Sequence, residues 1–304
     1  MSLEADRLID RHRLKRRLAF WRVVGVVAVI ALIVAVAARI APLPSVGDHV
    51  AYLDVEGLIL DDRARTDALD AIAKNDRAKA LVVYLNTPGG SVVGGEDLFR
   101  GLRKVGESKP VVAVMGDVAA SAGYMTALGA DRIFARAGTL TGSIGVIMQS
   151  ADVTGLLDKI GIKPTTVKSA SLKAQPNPME PFTEEARTAS RAVVLDVFDL
   201  FVGMVSDRRG MARDDVLKLA DGRVFTGRQA VAEGLIDALG GEAEARQWLA
   251  DEKGVAVSLP ARYVDTTPEE GLWRRFLDSS LGKTVFSERL RLDGLVALWH
   301  PDLW

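Results

Sequence analysis

The sequence of 304 residues contains no cysteine, which excludes thiol nucleophiles, disulfides and cysteine-rich zinc sites. Histidine occurs only three times, as His12, His49 and His300, each far in sequence from the glycine-rich centre. A histidine-based triad or metal cluster is therefore not expected. The 39 basic and 40 acidic residues nearly cancel, so the chain lacks the positive excess typical of nucleic-acid binding. Its 48% of apolar residues is enough for a well-buried core.

Charge is unevenly distributed only at the amino end. Residues 1–22 are rich in arginine, residues 23–38 carry no charge, and Ile40 and Ala41 extend the apolar run beyond Arg39. Crossing the hydrocarbon core takes about 20 residues, so we predict a transmembrane anchor at 23–41 after a cytoplasmic basic segment at 1–22. The positive-inside rule then places everything after a linker at 42–48 outside the cytoplasm. For a bacterium this is the periplasmic or outer side of the inner (plasma) membrane.

Two other interpretations of this segment stay open. Ala35, Val36 and Ala37 match a signal-peptidase cleavage pattern, so the segment is alternatively a cleaved signal peptide. The apolar run slightly exceeds the usual h-region of about 7–15 residues, which favours the anchor. The third interpretation is a buried helix of a soluble protein, and the charge asymmetry argues against it.

Beyond the linker, strand-like and helix-like segments alternate. The apolar pattern predicts strands at 49–59, 79–90, 110–116 and 131–135, and helices at 65–75, 92–105, 184–209 and 212–221. Thr183 is predicted to cap the long helix and Gly210 to end it. Continuous apolar strands alternating with helices predict an α/β fold with a largely parallel sheet covered on both faces. We assign this domain to residues 49–250 and regard 251–304 as a C-terminal extension of unknown role.

Two of the predicted strand ends carry unusual sequences. LNTPGGSV contains paired glycines, which let a backbone approach a ligand closely and direct amide groups at it. VMGDVAASAGY places Ser121 near a strand-to-helix turn, where free amides favour a developing negative charge. Together the two ends predict an oxyanion hole and a serine nucleophile. The alternative is that Ser121 only caps a helix, a position for which serine is well suited.

A serine nucleophile needs a base, and the sparse, distant histidines leave lysine as the choice. A buried lysine can serve because desolvation disfavours its charged form and lowers its pKa. Lys168 and Lys173 lie in a polar, proline-bearing segment before the long helix. Ser143, in the small-residue turn TLTGSIGV, could orient a lysine amine. Spacing alone does not choose between the two lysines.

The ordered motifs NTPGGSV, DVAASAGYM, TGSIGV, a lysine-containing segment and ADGRVFTGRQAVAEGLIDALGG resemble those of the signal peptide peptidase A family, which are serine-lysine membrane peptidases. This resemblance spans roughly residues 50–241 and implies the fold shared by Clp protease and crotonase. It implies Ser121 as the nucleophile and, about fifty residues later, Lys173 as the base. Family resemblance further assigns Ser143 to holding the lysine, and oxyanion amides to Gly89 or Gly90 and to Ala122.

The resemblance therefore implies a membrane-anchored serine endopeptidase that cleaves hydrophobic peptides such as signal-peptide remnants. It implies no cofactor and a homo-oligomeric assembly. A crotonase-like acyl-CoA enzyme is one alternative, although such enzymes normally use carboxylates in a soluble setting. The other alternative is a catalytically silent membrane scaffold of the same fold, because the sequence does not show whether Ser121 and Lys173 meet.

Overall fold

The computed structural model describes residues 15, 17–32, 47–264, 266 and, as backbone, 296–298. The chain divides into two units, Met1–Gly47 and Asp48–Trp304. In the first unit, residues 17–32 form helix α1. No described helix is both long enough and apolar enough to cross a membrane. Residues 33–41 of the predicted anchor, 42–46 of the linker and most of the predicted extension after 266 lie outside the described residues.

The second unit alternates strands and helices along the chain. Its strands are β1 His49–Ile59, β2 Ala78–Ser91, β3 Val111–Ala120, β4 Arg132–Ala135, β5 Leu140–Gly142, β6 Val224–Thr226, β7 Ala238–Leu239, β8 Ala261–Tyr263 and β9 Val296–Leu298. Its helices are α2 Arg63–Lys74, α3 Val92–Gly106, α4 Ala122–Ala127, α5 Thr154–Lys159, α6 Glu184–Arg209, α7 Arg213–Leu219, α8 Gly227–Ala232 and α9 Glu242–Lys253.

The described strands form one sheet in the order β6-β5-β3-β2-β1-β8. Strand β4 pairs with β3 and β7, and β9 pairs with β2. The pairs of β1 with β2 and β8, of β3 with β2, β4 and β5, and of β4 with β7 are parallel. Among the described strands, only β5 with β6 and β2 with β9 are antiparallel. The predicted α/β fold with a largely parallel sheet is therefore confirmed.

Alternate residues of the three central strands point to opposite faces of the sheet. One face contributes Leu53 of β1, Val83 of β2 and Met115 of β3 to the main core, which α2, α3 and α4 cover. The other face contributes Tyr52, Val82 and Val114 to a smaller core, where Ala245 and Leu249 of α9 pack. Helices cover both faces, as predicted, and the second face is covered less extensively.

The long helix α6 begins and ends as the sequence predicts. The Thr183 hydroxyl accepts a hydrogen bond from the Ala186 backbone N–H at the first turn. Gly210 ends the helix in the left-handed conformation, with φ 62°, which glycine adopts at little cost. Phe201 and Val205 of α6 join the main core. Helix α6 therefore packs on the domain through its second half.

Candidate active site

Ser121 lies where β3 ends and α4 begins, as the sequence predicted. Its backbone has φ 57° and ψ −118°, a conformation that costs a non-glycine residue on the order of 1–3 kcal/mol. Its side chain makes no capping hydrogen bond to the helix. The structure therefore does not support the alternative that Ser121 serves as a helix cap. A strained residue with an unengaged hydroxyl at a helix start fits a nucleophile better.

The small residues around Ser121 allow α4 to pack tightly. A Cβ atom added to Gly95 of α3 would lie 3.0 Å from the Ala122 Cβ and 3.1 Å from the Met125 sulfur. A Cβ atom added to Gly123 would lie 2.6 Å from the Thr87 Cγ2. Larger residues at either glycine would push the first turn of α4 away from α3 or β2. The glycines and alanines of this stretch thus fix the position of Ser121.

Buried polar contacts hold α4 from its other side. The Tyr124 hydroxyl donates to the Leu235 carbonyl oxygen at 2.8 Å, and its ring lies against Phe201. Complete burial raises the pKa of Tyr124, so its hydroxyl remains a donor. The Thr126 hydroxyl donates to the Ala122 carbonyl oxygen at 2.8 Å within the helix. The sequence alone does not mark Tyr124 as a support of the site.

The paired glycines at the end of β2 lie beside this turn. Gly89 has φ 110°, which favours glycine, and its backbone N–H donates to the Thr87 hydroxyl at 3.0 Å. The Thr87 hydroxyl in turn donates to the Gly57 carbonyl oxygen at 2.6 Å. Gly90 has no room for a side chain, since an added Cβ would lie 1.9 Å from the Ile59 carbonyl oxygen. In this conformation the Gly89 amide is therefore already engaged.

Ser143 lies next to Ser121 through the pairing of β3 with β5. Ala120 is opposite Gly142 in the sheet, and the Ser121 backbone N–H donates to the Gly142 carbonyl oxygen at 2.8 Å. Ser143, the next residue, is buried and also has a positive φ, 50°. The structure thus brings together the two serines, 22 residues apart in sequence, that the sequence analysis selected.

The two candidate lysines have different surroundings. Lys173 is exposed, and its amine makes no hydrogen bond or ion pair within the described part of the chain. Its backbone N–H donates to the Ala170 carbonyl oxygen in a turn. The side chain of Lys168 is 14% exposed and pairs with Glu180. The hydrogen bond from Lys168 is the main cause that lowers the pKa of Glu180.

The turn that carries Lys173 is tied to the start of α6. The Ser171 hydroxyl donates to the Glu185 carboxylate at 3.2 Å, and the Gln175 side-chain amide donates to Glu180 at 2.9 Å. A cavity of about 560 Å³ lies nearby, between residues 148–152 and the first turns of α6. The described chain therefore holds the turn but does not place the Lys173 amine on the buried Ser121.

Comparison with known proteins identifies a family whose model matches this chain. The model of peptidase family S49 matches residues 103–256, a range that includes Ser121, Ser143, Lys168 and Lys173. A putative protease of Synechocystis sp. is 36% identical over 68% of this chain and 75% of its own length.

Two further matches extend the comparison. A putative signal peptide peptidase, SppA, of Enterococcus faecium is 34% identical over 67% of this chain and 60% of its own length. A putative protease of Methanocaldococcus jannaschii is 34% identical over 61% of this chain and 60% of its own length. This chain thus spans less than two thirds of the length of the last two relatives.

Proposed function

Because this chain belongs to peptidase family S49, we propose that it is a serine endopeptidase with Ser121 as the nucleophile and Lys173 as the base. The observation that carries the proposal is the strained, uncapped Ser121 at the junction of β3 and α4. The Ser121 hydroxyl attacks the peptide carbonyl, and Lys173 takes its proton and returns it to the leaving amine. Ser143, beside Ser121, holds the lysine amine.

The oxyanion requires amide donors close to Ser121. Ala122 is the first residue of α4, and the first amides of a helix have no acceptor within the helix. The second donor comes from the Gly89–Gly90 turn. Since the Gly89 amide donates to Thr87 in the described conformation, its use would require this bond to open. The proposal is therefore that Ala122 and one amide of the paired glycines hold the oxyanion.

In the proposed mechanism, Lys173 reaches Ser121 in a homo-oligomer and not in the isolated chain. The segment that carries Lys173 exposes apolar side chains, among them Val167 at 97% and Ile160 at 59%. Apolar side chains that are exposed in the isolated chain are covered where they belong to a protein interface. A second copy that covers this segment would remove water from Lys173 and favour its neutral form. No cofactor enters the proposed reaction.

We propose hydrophobic peptides, such as signal-peptide remnants, as the substrates, within the Clp protease and crotonase type of fold. The uncharged run at 23–38 after an arginine-rich segment supports an anchor at 23–41 in a bacterial inner membrane, with the catalytic domain outside the cytoplasm. A reporter fused after Gly241 should then be exported and remain with membranes after a high-salt wash. A cytoplasmic reporter would contradict this orientation, and a soluble exported one would indicate a cleaved signal.

Hydrolysis of a hydrophobic fluorogenic peptide across pH tests the chemistry. Ser121→Ala and Lys173→Ala should each lose activity by several orders of magnitude, whereas Lys168→Ala should keep much of it. Lys173→Arg should fail as well, because arginine keeps its proton and cannot act as the base. Activity of the unchanged protein should rise with pH as the base loses its proton. Near-normal turnover by folded Ser121→Ala would refute the mechanism, and turnover by Lys173→Arg would refute the assignment of the base.

A further inference from the structure

Thr87 is a buried residue that the proposed reaction does not use. It lies in β2 directly before Pro88 and the paired glycines, and it is fully buried. The register between β2 and its neighbour β1 shifts at this point, between Glu56 and Leu58 of β1. Proline has no N–H to donate across such a shift. The Thr87 hydroxyl donates instead to the Gly57 carbonyl oxygen, at 2.6 Å.

The same hydroxyl oxygen is the acceptor of the Gly89 amide. The Gly89 N–H donates to it at 3.0 Å, whereas the Gly89 carbonyl oxygen lies farther away, at 3.3 Å. The shorter contact assigns the hydroxyl proton to the Gly57 carbonyl, so the oxygen presents a lone pair to the amide. Donation to a carbonyl also makes that oxygen a stronger acceptor. An amide that the proposed oxyanion needs is therefore held by a neutral acceptor inside the protein.

The methyl group of Thr87 keeps the hydroxyl in this orientation. Its Cγ2 atom packs against α4, where a Cβ atom added to Gly123 would lie only 2.6 Å away. A β-branched side chain has few χ1 rotamers, and here β1 fixes one branch and α4 fixes the other. Thr87 therefore connects the turn of the paired glycines to the helix that begins directly after Ser121.

We propose that Thr87 is a positioning residue that withholds the Gly89 amide from a neutral substrate carbonyl and releases it to the charged oxyanion. The proposal rests on the proposed peptidase function. A neutral hydroxyl and a neutral carbonyl are acceptors of similar strength, whereas a charged acceptor is about twice as strong. The amide therefore gains by changing its acceptor only as negative charge develops. It then contributes to binding the transition state and not to binding the substrate.

Thr87→Val tests the proposal, because it keeps nearly the same shape and removes the hydroxyl. Thr139→Val is the matched control. The Thr139 hydroxyl is buried as well, donates to the Gly116 carbonyl oxygen at 2.7 Å and accepts from the Arg136 N–H at 3.1 Å. Each variant leaves one backbone carbonyl and one backbone N–H without the hydroxyl, so both should lose similar stability. Only Thr87→Val frees an amide of the proposed site.

The freed Gly89 amide becomes available to the substrate carbonyl as well as to the oxyanion. Thr87→Val should therefore lower KM for a hydrophobic peptide and raise kcat/KM by about two- to tenfold, with kcat nearly unchanged. Thr139→Val should lower neither KM nor raise kcat/KM. Hydrogen exchange of the Gly89 amide, measured without peptide, should become faster in Thr87→Val only. A purely structural role of Thr87 predicts no gain in kcat/KM from a destabilising change.

Thr87→Ser and Thr87→Cys form a second pair, which decides the matter if Thr87→Val does not fold. Both lack the methyl group, but the thiol is only a weak acceptor. Exchange of the Gly89 amide should therefore be faster, and KM lower, in Thr87→Cys than in Thr87→Ser.

Two results would overturn the role of Thr87. One is unchanged exchange of the Gly89 amide when the hydroxyl is removed, and the other is faster exchange without a lower KM. If the unchanged protein and all folded variants hydrolyse no peptide while exchange at Gly89 still responds, the proposed function fails, and the role of Thr87 in it fails as well.

Discussion

The free energies of unfolding of Ser121 variants distinguish a strained residue with no capping role from a helix cap. At φ 57° and ψ −118°, a residue with a Cβ stores about 1–3 kcal/mol of strain. Glycine would release this strain but loses about 0.5–1 kcal/mol more conformational entropy on folding. Ser121→Gly should therefore be more stable than Ser121→Ala by about 1 kcal/mol. Both variants lack the hydroxyl, so the difference between their free energies of unfolding reports the strain less this entropic cost.

Ser121→Ala should have nearly the same free energy of unfolding as the unchanged protein, because the removed hydroxyl makes no capping hydrogen bond. Thr183→Ala is the control, because Thr183 does cap α6 and its loss should cost about 1 kcal/mol. Denaturant unfolding of the four proteins measures these differences, and about 1 kcal/mol corresponds to roughly 2–4 °C for a domain of this size. If Ser121→Gly is no more stable than Ser121→Ala, the strain argument is wrong. If Ser121→Ala loses as much stability as Thr183→Ala, the interpretation of Ser121 as a helix cap would be supported.

Three further predictions concern the supports of the site. Tyr124→Phe should lower the free energy of unfolding by about 1–3 kcal/mol, because it leaves a buried carbonyl oxygen without its donor; thermal unfolding checks this. Gly95→Ala should lower both stability and peptide hydrolysis by displacing α4, whereas Gly106→Ala in the same helix, with its nearest atom 3.7 Å away, should change neither by much. Pairing with Lys168 lowers the pKa of Glu180. The stabilisation from this pair should therefore be complete above the usual carboxyl pKa of about 4.3 and be lost as pH falls below it. Urea unfolding from about pH 7 to about pH 3 should show a smaller loss of stability in Glu180→Gln than in the unchanged protein, in which the other carboxylates titrate as well.

The long elements could be predicted because their apolar patterns are long. Strand β1 has the predicted bounds, His49–Ile59, and α6 begins after Thr183 and ends at Gly210. Strands β5 to β8 have only two or three residues each, which is too short for an alternating pattern to be recognised. Strand β3 also runs past its predicted end, to Ala120, because pairing with β5 extends it.

The candidate site could be predicted in its parts but not in its arrangement. Small residues marked the position of Ser121, and the structure explains them by the contacts of Gly95 and Gly123. The proximity of Ser121 and Ser143 depends on the pairing of β3 with β5, strands that are distant in sequence, and no local pattern encodes this pairing. The positive φ of both serines was equally hidden, because glycine, not serine, is the usual signal for that conformation.

The location of Lys173 shows why a dyad implied by family resemblance need not be formed in one chain. A lysine moved onto the buried Ser121 would have to lose its water or its proton, and nothing described within the chain compensates for that loss. The neighbouring Lys168 is held in an ion pair with Glu180, which it would have to leave in order to reach Ser121. Lys173 has no such partner in the described chain, so in the proposed mechanism it can move onto Ser121 without breaking an ion pair. In the proposed mechanism, the absence of a carboxylate beside Lys173 in the described chain is therefore as important as its spacing from Ser121.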